Sequence, residues 1–263
     1  MQCPWGKTLS LAIIIASCNR EERAFATAQS LLDKKMGEVI VIDDGSRVPY
    51  QNRNSQAGLS LFRLSVNSGP SAARNHGVRN SHAEWLIFLD DDDSLEPGLI
   101  DWMRAHASTG LNNLDLVHFG HSTVDQDSKA SSAITLSSND RITVLAGSWM
   151  MRRAFFVNLG GYEEQLRYSE NSDLIERAAL AGARTLHAGF PTLCYTVGRP
   201  KRREEMAERR AEACVFYLRN RPHCNRNQTL KIGLMNSWWD RNPLIAFRLV
   251  AAFLLTRHDE NRV

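Results

Sequence analysis

A short apolar segment that ends in four consecutive carboxylates constrains this chain more than any other feature. Residues 85–89 read Trp-Leu-Ile-Phe-Leu, and residues 90–93 are all Asp. An apolar run of this length and composition predicts a strand that is buried on both faces. Adjacent carboxylates repel one another and lose solvation when they pack, so packing alone gives no reason for the acidic run.

The acidic run therefore predicts a metal or ligand site. Carboxylate oxygens are the ligands that hard divalent cations prefer, and open α/β sheets bind their ligands at the carboxyl ends of strands. The alternative is a solvated acidic turn, because Ser94, Pro97 and Gly98 follow and are typical of turns.

The segments around this strand predict an α/β fold. The predicted strands cover residues 11–16, 38–42, 61–66, 85–89, 114–119 and 192–197. The predicted helices cover residues 21–35, 71–80, 97–111, 172–181, 204–218 and 244–255, and residues 125–140 read as an exposed loop. Strands that alternate with helices in this way indicate a three-layer α/β/α domain with a mainly parallel central sheet.

Polar or glycine residues follow each of the first four predicted strands. They are Ser17 and Asn19, then Asp43 and Asp44, then Asn67 and Gly69, and finally Asp90 to Asp93. Because the carboxyl ends of parallel strands meet at one edge of a sheet, these residues predict a single polar rim of the kind that a nucleotide site requires. Any α/β protein has some polar loops at this edge of the sheet. The prediction of a nucleotide site therefore depends on the acid-rich set as a whole and not on any single loop.

Composition excludes several other classes of protein. The chain has 263 residues, a formal charge of +3 and five scattered cysteines without a CxxC pair, which is neither a zinc pattern nor a disulfide framework and suits a reducing cytoplasm. Its basic residues lack an interleaved aromatic surface, so we expect no nucleic-acid partner. The apolar stretch at residues 9–16 is short and has no convincing cleavage site, which argues against a signal peptide.

Residues 244–255 form an apolar segment flanked by arginines. The segment is shorter than the roughly 18 to 20 residues of a spanning helix. It predicts either a packing helix or a peripheral contact at the inner face of a membrane, and its shortness favours packing. We therefore expect a cytoplasmic protein.

Five segments occur in an order that is typical of one enzyme family. They are residues 13–20 (IIIASCNR), 39–46 (VIVIDDGS), 67–77 (NSGPSAARNHG), 88–93 (FLDDDD) with Pro97, and the stretch from Arg152 to Gly182 that contains GGYE and SENSDL. Together they resemble the family 2 glycosyltransferases, which are inverting enzymes with the GT-A fold. The resemblance covers about residues 9–200.

The resemblance implies a domain organisation and an activity. A GT-A domain would span residues 1–200, with a nucleotide-binding half at about 9–115 and an acceptor half at about 116–200, and residues 201–263 would be a helical extension. The enzyme would use Mg²⁺ or Mn²⁺ to move a sugar from a UDP-, GDP- or dTDP-sugar to a hydroxyl acceptor. The acceptor would be a glycan, a lipid-linked intermediate or a small molecule, as in polysaccharide biosynthesis.

The resemblance also implies roles for individual residues. Asp92 would be the main metal ligand, together with Asp90 in the family's Asp-x-Asp motif. Gly160, Gly161 and Tyr162 would lie on the acceptor side. The nucleotide-sugar pocket would be formed by Ser17, Asn19, Asp43, Asp44, Arg74, Asp90 and Asp91.

The chain departs from the family pattern at two positions. Cys18 stands where the family commonly has Tyr, which weakens stacking on the base. Asn171 stands where the family has the Asp that acts as general base, and an amide cannot accept the proton. Glu170 or Asp173 would then supply the carboxylate; we favour Glu170, since Asp173 serves equally well as a helix cap. The alternative function is a catalytically impaired nucleotide-sugar-binding protein.

Overall fold

The computed structural model describes residues 10–51, 56–106, 111–125, 131–134, 144–197, 203–239 and 243–255. The chain divides into two compact units. The sheet unit contains residues 1–164 and 171–198, and the helical unit contains residues 165–170 and 199–263. The assignment of residues 165–170 to the helical unit is not anticipated by the sequence, and the domain boundary at residue 200 stays a prediction.

The first part of the sheet unit alternates strands and helices. Its elements are β1 (Leu11–Ser17), α1 (Glu21–Asp33), β2 (Glu38–Asp44), β3 (Leu59–Leu64), α2 (Pro70–Arg79), β4 (Trp85–Asp90), β5 (Ser94–Leu95) and α3 (Gly98–His106). The remaining elements are a 3₁₀ turn (Leu111–Asn113), β6 (Leu116–Asp125), β7 (Ser131–Ile134), β8 (Trp149–Arg152), α4 (Arg153–Asn158), α5 (Glu170–Leu180) and β9 (Thr185–Val197).

The strands form one sheet in the order β3-β2-β1-β4-β8-β6-β9-β5, with β7 paired to β6. The first four strands in this order are parallel, as are β6 and β9, and the other pairs are antiparallel. The α/β fold is confirmed, and the sheet is mixed because only its first half is built from parallel crossover units.

Both faces of the central strands are buried, as the continuous apolar runs predict. Alternate residues of a strand point to opposite faces, and they enter two separate cores. Ile13 and Ile87 belong to a core that includes residues of α1 and α3. Ile14 and Phe88 belong to a second core that includes residues of α2, α4 and α5.

The structure corrects the sequence analysis between residues 125 and 140. Asp125 is the last residue of β6, and the other described residues of this stretch, Ser131–Ile134, form strand β7, which pairs with His121 to Val124 of β6. The Ser-rich composition concealed this strand, because its polar residues are typical of loops but also tolerate an antiparallel edge. The predicted helix at 97–111 is described as α3 over Gly98–His106, and the short elements β8 and α4 were not predicted.

The helical unit contains α6 (Arg203–Asn220), α7 (Arg226–Trp239) and α8 (Pro243–Leu255). Its core joins Val215 and Leu218 of α6 to Ile245 and Leu249 of α8, and Leu234 of α7 packs against them. The sequence analysis predicted α6 and α8 but missed α7. Among the described helices, none has both the length and the apolar character needed to cross a membrane.

Gly77 offers a test of how closely α2 packs on β1. A Cβ atom at Gly77 would lie 2.5 Å from Cγ2 of Ile14, which is fully buried. We expect Gly77→Ala to lower the free energy of unfolding by roughly 1–3 kcal/mol, since overpacking outweighs the better helix propensity of alanine. Denaturant unfolding measures this change.

Gly98→Ala is the matched control, because a Cβ atom at Gly98 meets nothing within 4 Å. It should leave the stability unchanged within about 0.5 kcal/mol. Equal stabilities of the two variants would contradict the close packing of α2 on β1.

Candidate functional site

The parallel register of β1, β2 and β4 brings their carboxyl ends together. Ser17 at the end of β1 pairs with Asp43 of β2, and Ala16 pairs with Asp90 of β4. The hydroxyl group of Ser17, which is buried, donates to Oδ2 of Asp91 at 2.6 Å and lies 2.8 Å from the hydroxyl oxygen of Tyr50. The predicted polar rim is therefore a physical edge of the sheet.

Asp43 is fully buried and both of its carboxylate oxygens are engaged by the protein. Oδ1 accepts a hydrogen bond from the backbone N–H of Ser46 at 2.9 Å, and Oδ2 accepts one from the N–H of Tyr50 at 3.3 Å. Arg63 forms an ion pair with Oδ2. Burial on its own would raise the pKa of Asp43, but the hydrogen bonds from Ser46, Tyr50 and Arg63 hold that pKa below its usual value.

Asp44 and Asn19 fix the neighbouring loops. The carboxylate of Asp44 accepts backbone hydrogen bonds from Ser68 at 2.7 Å and Gly69 at 2.9 Å, which fastens the loop after β3 to β2. Asn19 has a φ of 57°, a left-handed conformation that asparagine tolerates. Its N–H donates to Oγ of Ser46 at 2.7 Å, so the loops after β1 and β2 are also joined.

The four consecutive aspartates alternate between exposed and buried positions. Asp90 and Asp92 have side chains that are 47% and 44% exposed, whereas Asp91 and Asp93 are buried. Asp90 is the last residue of β4, and the other three lie in the turn between β4 and β5. Two carboxylates therefore face outward at the sheet edge, and two face inward.

Arginines neutralise the outward carboxylates. Nη2 of the buried Arg74 lies 2.8 Å from Oδ1 of Asp90, and the same guanidinium group stands 5.4 Å from the ring centroid of Tyr162. Nη1 of Arg20 lies 3.6 Å from Oδ2 of Asp92, and Nη1 of Arg23 lies 3.8 Å from the same oxygen. The edge thus combines anionic and cationic groups within reach of solvent.

The two inward carboxylates, Asp91 and Asp93, have raised pKa values. Burial raises the pKa of Asp91, even though Ser17 donates to Oδ2 and Nε of Arg20 lies 2.9 Å from that atom. Oδ1 of Asp91 is buried without a hydrogen-bond partner among the described residues. Burial raises the pKa of Asp93 to about 7, and its Oδ1 accepts a hydrogen bond from the N–H of Thr196 at 3.1 Å.

The donor set at the edge fits a cation that is shared with a ligand. Within the described ranges, no three His, Cys, Asp or Glu side chains are grouped to hold a metal ion by themselves. Mg²⁺ usually takes one or two carboxylates and completes its shell with phosphates and water. Asp90 and Asp92 provide two half-exposed carboxylates at one strand end, which is a donor set of that kind.

The predicted acceptor turn is held from α2. The side-chain oxygen of Asn75 accepts a hydrogen bond from the N–H of Tyr162 at 2.9 Å, and its amide group donates to the carbonyl of Tyr162 at 2.9 Å. Gly160 and Gly161 have φ values of 83° and 74°, and a Cβ atom at Gly161 would lie 2.7 Å from Oδ1 of Asn75. Glycine at 161 is therefore required by both the turn and the contact.

Asp173 is buried in α5 and serves the same turn. Its Oδ2 lies 2.8 Å from Nε of Arg177. The Nη1 and Nη2 groups of the same arginine donate to the carbonyl oxygens of Leu159 at 2.9 Å and Gly161 at 2.7 Å. The helix begins at Glu170 rather than Ser172, so Asp173 is its fourth residue and does not cap it. Burial and this ion pair disfavour Asp173 as an acid or base that an external substrate could reach.

Glu170 and Asn171, which form the start of α5, have different surroundings. The side-chain oxygen of Asn171 accepts a hydrogen bond from the hydroxyl group of Tyr162 at 2.8 Å. Glu170 is half-buried and belongs to the helical unit. Its role as the base stays a prediction.

Sequence reasoning missed Tyr50 and Arg63, which complete the network around Asp43. The register of β2 and β3 pairs Arg63 directly with Asp43, and only the strand pairing could have revealed this. Tyr50 carried a weaker signal, because a tyrosine hydroxyl that becomes buried usually finds a polar partner. The sequence also has a basic run at residues 198–203 (GRPKRR), of which residues 198–202 lie outside the described part of the chain.

Asp93 predicts a pH dependence of stability. Its pKa is about 7 in the folded protein and near the ordinary value of 3.8 in the unfolded chain, so the folded state binds the proton more tightly. The contribution of Asp93 to the free energy of unfolding should be greatest below pH 4 and be lost as the pH rises through 7. Asparagine at position 93 carries no titrating proton, so the Asp93→Asn variant should not lose this free energy of unfolding as the pH rises. We expect the variant to be more stable than the wild type at pH 8 by roughly 1–3 kcal/mol.

Chemical unfolding between pH 4 and pH 8, in a buffer with a metal chelator, measures this effect. Asp101→Asn is the control, since it keeps Asp93 and changes a side chain that is 79% exposed. A wild type and an Asp93→Asn variant with parallel pH profiles would refute the buried, proton-binding role of Asp93.

The sequence of this chain is similar to those of known glycosyltransferases. The protein-family model for glycosyl transferase family 2 matches residues 12–156. Succinoglycan biosynthesis protein ExoU of Rhizobium meliloti is 31% identical over 198 residues, which cover 66% of this chain and 58% of the relative. An uncharacterized glycosyltransferase of Haemophilus influenzae is 28% identical over 181 residues, which cover 63% of this chain and 60% of the relative.

Solved structures share the fold. The crystal structure of S. aureus TarS in complex with UDP superposes with a TM-score of 0.58 at 19% identity and covers 87% of this chain and 70% of that one. The complex with UDP-GlcNAc gives a TM-score of 0.58 at 17% identity and covers 88% of this chain and 73% of that one. At this identity the likeness concerns the fold alone.

Proposed function

Since the chain belongs to glycosyl transferase family 2, we propose that it transfers a sugar from a nucleotide-diphosphate donor to a hydroxyl acceptor. The observation that carries the proposal is the sheet edge, where the carboxyl ends of β1, β2 and β4 bring Ser17, Asp43 and Asp90 together. The two TarS structures are complexes with UDP and with UDP-GlcNAc, which favours a UDP-sugar as the first donor to test.

The residues of the nucleotide pocket divide into two groups in this proposal. Asp43 and Asp44 accept backbone hydrogen bonds with both carboxylate oxygens, and Asp91 accepts one from Ser17 with Oδ2, so these three residues would position the loops that bind the base and the ribose. Arg20 and Arg23 have side chains that are 46% and 58% exposed, and guanidinium groups bind phosphate oxygens well. Ser17, Asn19 and Arg74 would complete the support of this pocket.

Asp92 and Asp90 would hold Mg²⁺ or Mn²⁺. When bound, the cation supplies positive charge that stabilises the leaving nucleoside diphosphate. The chain's own contribution is to keep two carboxylates at one strand end and to place arginines beside them, which preserves the charge balance of the edge in the metal-free protein.

The transfer itself would proceed by a single displacement with inversion. The acceptor oxygen forms a bond to the anomeric carbon while the bond from that carbon to the phosphate oxygen breaks, and the acceptor proton passes to a carboxylate. We assign that proton to Glu170, because Asp173 is buried in an ion pair with Arg177. Gly160, Gly161 and Tyr162 would shape the acceptor side.

The acceptor is a hydroxyl group of a glycan, a lipid-linked intermediate or a small molecule. The names of two relatives support the first two classes, one being a succinoglycan biosynthesis protein and another a GalNAc(5)-diNAcBac-PP-undecaprenol beta-1,3-glucosyltransferase of Campylobacter jejuni. A cytoplasmic location stays a prediction.

Asn171 motivates a second function, a nucleotide-sugar-binding protein without turnover. Its side-chain amide bonds to the hydroxyl group of Tyr162 and cannot accept an acceptor proton. This alternative predicts tight donor binding with neither transfer nor donor hydrolysis.

Replacement of Glu170 distinguishes the two functions. We expect Glu170→Gln to lower the rate of donor hydrolysis and of sugar transfer at least about 100-fold, because the proton acceptor is lost, while donor affinity stays the same. Asp173→Asn is the comparison, since it should mainly lower the melting temperature by disturbing the contact with Arg177. Full activity of Glu170→Gln would reject this base, and an inactive wild type that binds donor would favour the alternative.

Replacement of Asp92 tests the metal assignment. Asp92→Ala should abolish the part of UDP-sugar binding that depends on Mn²⁺. Its free energy of unfolding should stay within about 0.5 kcal/mol of the wild-type value, since the Asp92 side chain is half-exposed. Isothermal titration with and without Mn²⁺ measures it, with Asp101→Ala as the exposed carboxylate control. Donor affinity that keeps its Mn²⁺ dependence in Asp92→Ala would disprove the assignment.

A further inference from the structure

Helix α8 is apolar around almost its entire circumference. Arg248 is the only ionisable residue between Pro243 and Leu255. A helix of this kind in a water-soluble unit is normally buried on all sides. The structure buries only one of its faces, so the other face requires an explanation.

The buried face of α8 forms the core of the helical unit. Ile245, Leu249 and Ala252 are 2%, 0% and 1% exposed and pack with Val215 of α6. Gly233 of α7 permits this approach, because a Cβ atom there would lie 2.6 Å from Cδ2 of Leu249. Packing within the unit therefore accounts for one side of α8 and confirms the packing role that the sequence favours.

The opposite face of α8 consists of large exposed apolar side chains. Leu244, Phe247, Leu254 and Leu255 are 66%, 71%, 55% and 69% exposed. On helix α7 of the same unit, Met235 is also 52% exposed. Monomeric soluble proteins seldom expose such a concentration of large apolar groups, which marks a surface that binds another apolar phase.

Basic residues outnumber acidic ones in this part of the chain. Helices α7 and α8 carry Arg226, Lys231 and Arg248 and contain neither Asp nor Glu, and Arg248 lies 3.4 Å from Oε1 of Glu212 of α6. Over residues 199–263 the sequence has 14 Lys and Arg against 7 Asp and Glu, whereas the whole chain has 32 against 29. The segment is therefore strongly basic, and the rest of the chain is acidic.

We propose that the exposed face of α8, together with Met235 and Lys231 of α7, binds the surface of an anionic phospholipid bilayer. With 13 residues, α8 is shorter than the roughly 20 residues that span a bilayer. It would lie in the plane of the interface, with its apolar side chains among the acyl chains and the cations at the headgroups. A second copy of the chain is a poorer occupant, because the same face would bring like charges together.

Vesicle flotation tests the proposal with the full chain. The wild type should bind vesicles of phosphatidylcholine with 30 mol% phosphatidylglycerol at least about tenfold more strongly than vesicles of phosphatidylcholine alone. The double variant Phe247→Glu/Leu254→Glu should bind the anionic vesicles at least about tenfold more weakly than the wild type, since two apolar anchors become anionic. Lys231→Gln should weaken binding about threefold to fivefold.

Leu180→Glu is the matched control, since Leu180 of α5 is 60% exposed and lies in the sheet unit. It should bind like the wild type. Equal binding of the double variant and the wild type, or no flotation of the wild type with anionic vesicles, would overturn the proposal. A dimer in light scattering that the double variant dissociates would also overturn it in favour of self-association.

Discussion

Four adjacent carboxylates at the end of a buried strand impose the constraint on which the rest of the site depends. Asp90 is the last residue of β4, and in the turn that follows Asp91 and Asp93 are buried while Asp92 is half-exposed. The chain meets this constraint by giving every one of the four carboxylates a partner, with Arg20 shared by two of them. Arg74 pairs with Asp90, Ser17 and Arg20 contact Asp91, Arg20 and Arg23 flank Asp92, and the N–H of Thr196 bonds to Asp93.

The inward carboxylates and the two acids of β2 organise the loops rather than facing a ligand. Asp43 holds the turn at Ser46, and Asp44 holds the turn at Gly69. Buried carboxylates that accept several backbone hydrogen bonds stabilise loops well, because each bond is charge-assisted and shielded from water. The acids that face outward, Asp90 and Asp92, are thereby presented on a rigid edge, which is what preorganised binding of an anionic donor with a cation needs.

The sequence predicted the parts of the molecule that depend on local patterns. Strands β1, β2 and β4 and their polar ends followed from apolar runs and from the residues after them. The antiparallel strands β7 and β8 did not, because short polar or mixed strands depend on long-range pairing. The same holds for the pairing of Arg63 with Asp43 and for the burial of Asp173, which depend on elements that are distant in sequence.

A calorimetric titration of the wild-type chain with UDP, GDP and dTDP, each with and without Mn²⁺, tests most directly whether the sheet edge binds a donor nucleotide. We expect micromolar to millimolar binding that is selective for one base and much stronger with the cation, because the diphosphate and the metal ion would share the sheet edge. Absence of binding by all three nucleotides in the presence of Mn²⁺ would contradict the claim that this edge is a donor site.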